Sequence, residues 1–335
     1  MRILGIGLSG LNIFCGLMNL CNGFTTRMYY TAMDNIYIAA QTVHDLSLKN
    51  AAKEEIDENT KAGNEPLHLS VSDDGTWSKR GFSSLFGVVT LIGKYTNKIV
   101  DVVVKSSFCK ACSLRKHDNS IEDLLWQEEH AEQCTINHSG SAGKMEVIDD
   151  GVIEMFQRSQ NLHGVMYENY IGDGDSKTFK SLINENPYED KLLVKKKECI
   201  AHVQKRMGSR LRNAKKLHKD IGGKGAGKLT EKLIKDLTIY YGLAIRRNTE
   251  SLLDMKNAVW ATYYHKISTD EEPMHSHCPS GSNSWCSWRV AEGALQNYHH
   301  DPPLSSDVQT VIYKIYEDLS DDDLLTRCLG GQYAK

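Results

Sequence analysis

Apolar and polar residues alternate in step over several short stretches of this chain, and a two-residue period marks half-buried strands. Leu67, Leu69 and Val71 alternate with His68, Ser70 and Ser72. Leu85–Ile92 and Ile99–Val104 follow, joined by the turn sequence Gly93-Lys94-Tyr95-Thr96-Asn97. Together they predict three consecutive antiparallel strands. Elsewhere the period lengthens to that of a helix. Met33, Ile36, Ala39 and Ala40 recur at helical spacing within about Tyr29–Lys61, and Ala51–Glu58 is rich in helix formers, so this segment reads as packing. Val152, Met155 and Phe156 form the apolar stripe of a helix over about Val147–Gln160. Met166–Ile171 then reads as a fourth strand, Lys177–Asn184 as a helix, and Leu192–Val203 as a further strand. From about Gln204 to Ala261 the chain is basic and helical, with Leu229, Leu233, Leu237 and Tyr240 or Tyr241 along one face.

Strand, strand, strand, helix, strand, helix, strand describes an α/β fold, a mixed sheet with flanking helices. The order matches the ribonuclease-H-like arrangement. The expected organisation is an N-terminal helical segment over 1–65 and a sheet core over 66–203, with a loop insertion at about 105–140. A basic helical insertion over 204–300 and a last piece of core over 301–335 follow.

Composition narrows the picture only in places. The chain has 335 residues, 40% hydrophobic and 25% charged, which fits a globular protein of about two domains. Its net charge of −3 gives no argument for a polyanionic partner. Between Lys191 and Arg247, however, seventeen Lys and Arg face four acids. Such a surplus can track a phosphate backbone, and it can equally be a solvated helix surface. The apolar run after Arg2 is interrupted by Gly5, Gly7, Gly10, Asn12, Cys15 and Gly16, and reads neither as a secretory signal nor as a membrane span. No membrane partner is expected. Nine cysteines, an odd number, fit metal binding in a reducing compartment better than a disulfide frame.

Two acidic signatures carry the strongest chemical content. Asp73-Asp74-Gly75-Thr76-Trp77 ends the first predicted strand and Gly172-Asp173-Gly174-Asp175-Ser176-Lys177 ends the fourth. Carboxylates at a sheet's rim can hold divalent cations for phosphodiester chemistry, although Asp-Gly pairs also simply make turns. Cys109-x-x-Cys112 followed by His130-x-x-x-Cys134 has the ligand types and spacing of a structural zinc knuckle, with His117 and His138 as rival fourth ligands. Cys199-x-x-His202 closes the last predicted strand and reads as a core or hydrogen-bonded supporting pair, with metal ligation as the alternative. His265, His275, Cys278 and Cys286 have ligand types that would suit a second zinc site. Gly222-Gly223-Lys224-Gly225-Ala226-Gly227-Lys228 imitates a phosphate loop, but Leu229 replaces the metal-binding hydroxyl and no strand precedes it, so it reads as a flexible turn. Neither a Gly-x-Ser-x-Gly elbow nor a dinucleotide fingerprint is present.

Taken in order, several segments resemble the Mutator-like transposase domain of animal mobile elements. They are Asp73-Asp74-Gly75-Thr76-Trp77-x-Lys79-Arg80-Gly81, Gly140-Ser141-Ala142-Gly143-x-Met145-Glu146, Gly172-Asp173-Gly174-Asp175-Ser176-Lys177 and Cys199-x-x-His202-Val203-x-Lys205-Arg206. Tyr240 to Asn248 and Ser284-Trp285-Cys286 complete the set. The resemblance implies a ribonuclease-H-like nuclease and strand-transfer core acting on DNA, both transposon ends and target, in the nucleus. It implies Mg2+ or Mn2+ held by Asp74 and by Asp173 or Asp175, beside a structural Zn2+. The basic surplus would then hold DNA phosphates through Lys205, Arg206, Arg210, Arg212, Lys215 and Lys216, and a homo-oligomer is compatible with this reading. The family's third acid follows a segment like Arg327-Cys328-Leu329-Gly330-Gly331, whereas this sequence stops at Lys335, and Glu250 only imitates its surroundings. The expectation is therefore of feeble or absent cleavage by a truncated or decayed copy. A non-catalytic, zinc-stabilised DNA-binding protein is the alternative.

Overall fold

The computed structural model describes residues 6–21, 23–77, 85–115, 120–138, 144–172, 176–293 and 298–331. The chain divides into two compact units, Met1–Glu54 and Glu55–Lys335. In the first lies α1 (Leu8–Leu17), and α2 (Thr26–Lys61) begins there and runs into the second. Asn12 fastens the link between these helices: its side chain accepts from Phe24 N at 2.7 Å and donates to Phe24 O at 3.1 Å. Among the described residues no helix is long and apolar enough to cross a membrane.

The second unit is built on β1 (His68–Trp77), β2 (Phe86–Gly93) and β3 (Ile99–Ser106), paired antiparallel as their alternation predicts. Along β2 every second residue is buried, with Val89 and Leu91 fully enclosed. A positive φ of 57° at Asn97 turns the chain between β2 and β3, a conformation that Asn tolerates. Two short helices, α3 (Lys110–Leu114) and α4 (Ile121–His130), occupy the loop before α5 (Lys144–His163). The chain then enters β4 (Met166–Gly172), α6 (Ser176–Glu185) and β5 (Lys195–Glu198). The sheet order is β3-β2-β1-β4-β5, and β4 and β5 run parallel to β1.

The predicted stripe on α5 faces the sheet. Val152, Met155 and Phe156 are fully buried, and the Phe156 ring meets Tyr167 edge-on at 5.1 Å between centroids. Tyr188 satisfies the polar edge of this core, its hydroxyl lying 2.9 Å from Ser159 Oγ and 2.8 Å from the Tyr167 backbone N–H that donates to it.

The strand expected over Leu192–Val203 is corrected to four residues, because α7 (Ile200–Leu217) begins immediately after Cys199. The physical reason lies in the spacing of the apolar residues beyond Lys195-Lys196-Lys197. Ile200, Val203, Met207, Leu211 and Ala214 fall on one helical stripe, and all are buried. Three lysines suit an edge strand, where charge discourages pairing with another chain.

Beyond α7 come α8 (Glu231–Arg247), α9 (Leu252–Ile267), α10 (Ser287–Gly293), α11 (Ser306–Leu319) and α12 (Asp322–Thr326). Residues of α7, α8, α9, α11 and α12 share one buried cluster, including Leu211, Leu237, Tyr241, Val259, Ile312 and Leu325. Segments on both sides of residue 300 therefore contribute to the same helical core.

Candidate functional site: an acidic pair beside the end of the fourth strand

The pairing of β1 with β4 decides where the acidic signatures go. Leu69 stands beside Tyr167, and after a register shift Ser70 pairs with Asn169, Val71 with Tyr170 and Ser72 with Ile171. Asp73 follows Ser72, the last β1 residue paired with β4, next to the point on the rim where β4 ends in Gly172. Strand β1 itself runs on to Trp77 against β2, so the expectation that the first acidic pair ends its strand is corrected. Asp73 and Asp74 lie within β1 because β2 continues to pair with it there. Asp173 and Asp175 themselves lie outside the described residues. Pleating sends Asp73 and Asp74 to opposite faces. Asp73 lies on the face of Val71, where the Tyr170 hydroxyl donates to its Oδ1 at 2.6 Å. Asp74 is exposed on the other face, and its carbonyl oxygen accepts from Thr90 Oγ1 at 3.2 Å.

A third carboxylate reaches the neighbourhood from α5, and sequence reasoning did not single it out. A Cβ on Gly75 would meet the Ile148 side chain, so the start of α5 rests directly on this end of β1. The next residue, Asp149, is buried, accepts from Thr178 Oγ1 and stands 3.8 Å from Lys177 Nζ, both groups of the first turn of α6. Its only sequence signal is the pair Asp149-Asp150 within an otherwise amphipathic helix.

Glu198 and Cys199 close β5 beside the same rim, since Gly172 pairs with Glu198. Glu198 is buried and held by Arg206 at 2.6 Å and Arg327 at 3.4 Å. Cys199 precedes α7 as its N-cap and is fully buried, while His202 Nδ1 is buried without a hydrogen-bond partner among the described residues.

The predicted knuckle comes together between β3 and α5. Cys109 caps α3 and Cys112 lies one turn on; His130 ends α4, and Cys134 follows a single 3-10 turn. Cys109 Sγ is 3.2 Å from His130 Nε2 and Cys112 Sγ is 3.7 Å from Cys134 Sγ. Ligands bound at about 2.0–2.3 Å in a tetrahedron stand about 3.3–3.8 Å apart, so these are the edges a zinc ion requires. Backbone N–H groups of Cys112 and Thr135 push the Cys109 thiol down to about 5, toward the thiolate, whereas burial and Cys134 push Cys112 up to about 11. The His130 ring stacks on Trp126 at 4.5 Å, which fixes its plane. Of the rivals, His138 turns to Asp150 at 3.2 Å, and His117 lies outside the described residues. His265, His275, Cys278 and Cys286 form another group able to hold a metal.

The six basic residues expected at DNA lie on α7. Four are engaged within the chain: Arg206 with Glu198, Arg210 with Asp318 at 2.7 Å, and Arg212 and Lys215 with Glu231 at 3.5 and 3.0 Å. Lys205 and Lys216 are exposed and form no ion pair among the described residues. The glycine-rich segment connects α7 to α8 as a turn, with φ of 131°, 119° and 75° at Gly223, Gly225 and Gly227, and Lys228 Nζ donates to Asp220 O at 2.7 Å. Glu250 sits in the turn between α8 and α9 and bonds its neighbour Thr249.

Fold and site thus define a mixed α/β protein with an acidic pair on β1 beside the end of β4 and Cys/His groups able to hold a metal such as zinc. Residues 1–286 match the family model of the Mutator-like transposases, and the chain belongs to that family. No curated protein and no solved structure gives a significant match.

Proposed function

We propose that this chain carries the ribonuclease-H-like core of a Mutator-like transposase, whose reaction is metal-dependent cleavage of a DNA phosphodiester followed by strand transfer. Family membership supports the class. The observation that supports the site is the parallel pairing of β1 with β4, which brings Asp73-Asp74, just past the last pair of Ser72 with Ile171, next to Gly172, the residue that opens the second acidic signature. A divalent cation bound there would activate water and stabilise the leaving oxygen. In this reading Asp74 and Asp173 or Asp175 supply the negative charge that holds the cation. Asp73, which accepts from the Tyr170 hydroxyl, ties β1 to β4 just past their last backbone pair. Exposed lysines of α7 meet DNA phosphates, and the Cys109, Cys112, His130 and Cys134 group holds zinc and folds the loop without taking part in the reaction.

The test is Mg2+- or Mn2+-dependent nicking of duplex DNA by the full chain, with Asp74→Asn and Asp173→Asn/Asp175→Asn variants that keep their zinc and fold. Nicking that needs the divalent ion and is lost in these variants supports the reading. The other reading, a non-catalytic zinc-stabilised DNA-binding protein, draws on the complete geometry of the Cys/His group. Salt-dependent DNA binding that ignores both the divalent ion and these substitutions would establish it instead.

A further inference from the structure

From residue 268 to residue 286 the chain forms neither helix nor strand, yet His275, Cys278 and Cys286 within it are 2%, 5% and 0% exposed. Irregular segments of this length are uncommon inside a packed unit and need something to fasten them. The apolar contribution here is small: Ala261, Cys278 and Cys286, with Trp288 against them.

We propose that His265 on α9, His275 and Cys278 in the irregular segment, and Cys286 at the start of α10 form a closed zinc centre, separate from the knuckle between β3 and α5. The distances support it first. His265 Nδ1 lies 3.3 Å from His275 Nδ1, and Cys286 Sγ lies 3.3 Å from His275 Nδ1 and 3.6 Å from His265 Nδ1. Cys278 Sγ is 3.6 Å from His275 Nδ1. A tetrahedral zinc with two nitrogen and two sulfur ligands has edges of about 3.3–3.8 Å.

The hydrogen bonds around the group fix its protons to suit a metal. Asp270 Oδ1, an acceptor only, stands 2.6 Å from His300 Nδ1, so the imidazole tautomer this contact selects has its proton there and a lone pair at Nε2. That nitrogen stands 2.8 Å from His275 Nε2, which in this tautomer holds the proton of the His275 ring. Ser268 Oγ, 2.9 Å away, shares it. His275 Nδ1 is left unprotonated and aimed at His265 and the two sulfurs. A metal-bound histidine whose other nitrogen donates to an outer partner is the usual arrangement. Arg289 Nε donates to His275 O at 3.1 Å, and Trp288 stacks on the His275 ring at 4.7 Å, holding the ligand from outside. Four protein ligands of borderline softness suit zinc and leave no open position, so the centre fastens the segment to α9 and does no chemistry.

The experiment measures zinc by mass spectrometry in the full chain as purified, and the charge-transfer absorbance of the Co2+-substituted protein. The expected result is two zinc ions per chain, with one left in Cys278→Ser/Cys286→Ser and one left in Cys109→Ser/Cys112→Ser. The thiolate-to-cobalt band should reflect five thiolates in the unaltered chain and fall to about two fifths in the second variant. One zinc per chain, or two that persist in Cys278→Ser/Cys286→Ser, overturns the proposal. If that variant does not fold, the band in Cys109→Ser/Cys112→Ser decides, because its absence would show that no sulfur of the helical region binds metal.

Discussion

Glu55 sits in α2, yet its carboxylate closes a turn some forty residues away. It accepts from Tyr95 N at 2.9 Å, Thr96 N at 2.8 Å and Thr96 Oγ1 at 2.7 Å, and it is fully buried. Removing such an acceptor strands buried donors, so Glu55→Ala should cost about 2–4 kcal/mol, read as a lowered urea midpoint at unchanged slope. A shift below about 0.5 kcal/mol would mean that water replaces the carboxylate without penalty. Asp101 tells the same story, buried on β3 with Arg158 Nε at 3.0 Å. Arg158→Met leaves that charge without its partner and should destabilise by about 3–5 kcal/mol, more than Asp101→Asn/Arg158→Met together. At this scale the sequence was legible only where residue type and spacing carry the chemistry. Cys109, Cys112, His130 and Cys134 declare themselves, because thiols and imidazoles at such intervals have few other uses. Glu55, Asp101 and Asp149 do not, because a carboxylate's role depends on which distant group it meets.

The elements show where periodicity suffices and where it fails. Strand β1 runs on through residues 73–77 because β2 pairs with it there, whereas its first half, strands β2 and β3 and the stripe of α5 follow from their two-residue and helical periods. The stretch after Leu192 does not, since a four-residue edge strand of Lys-Lys-Lys-Glu has no apolar alternation and the helix behind it starts without a break. Helix α7 also separates two kinds of basic residue that composition alone merges. Arg210 and Lys215 are occupied by Asp318 and Glu231, whereas Lys205 and Lys216 are exposed. Lys205→Glu/Lys216→Glu should weaken duplex binding and flatten the dependence of log affinity on log salt by about 2. Arg210→Ala should change that slope by less than about 0.5, since its charge already has a partner. Equal slopes for both variants would place the DNA elsewhere. Packing between helices rests on other contacts: Tyr241 on α8 donates to Leu319 O at 2.8 Å, and burial pushes its hydroxyl well above the ordinary phenol range. Tyr241→Phe, which strands that carbonyl, should cost about 1 kcal/mol in thermal or urea unfolding, and no measurable loss would show that the bond is replaced.

For the whole molecule, the order of elements along the chain was readable, and the sheet order β3-β2-β1-β4-β5 is what such an order produces when β4 joins β1 by a helical crossover. How the helices after residue 200 gather was not readable, because their core draws on α7, α8, α9, α11 and α12, whose apolar stripes do not name their partners. The account depends on the rim where β1 parts from β4. Its most direct test is Mn2+ binding to the zinc-loaded chain, followed by electron paramagnetic resonance, which needs no turnover. The account predicts a Mn2+ site that Asp74→Asn and Asp173→Asn/Asp175→Asn each weaken by about tenfold or more while the zinc content stays unchanged. Mn2+ binding of equal strength in the unaltered chain and in both variants would contradict it.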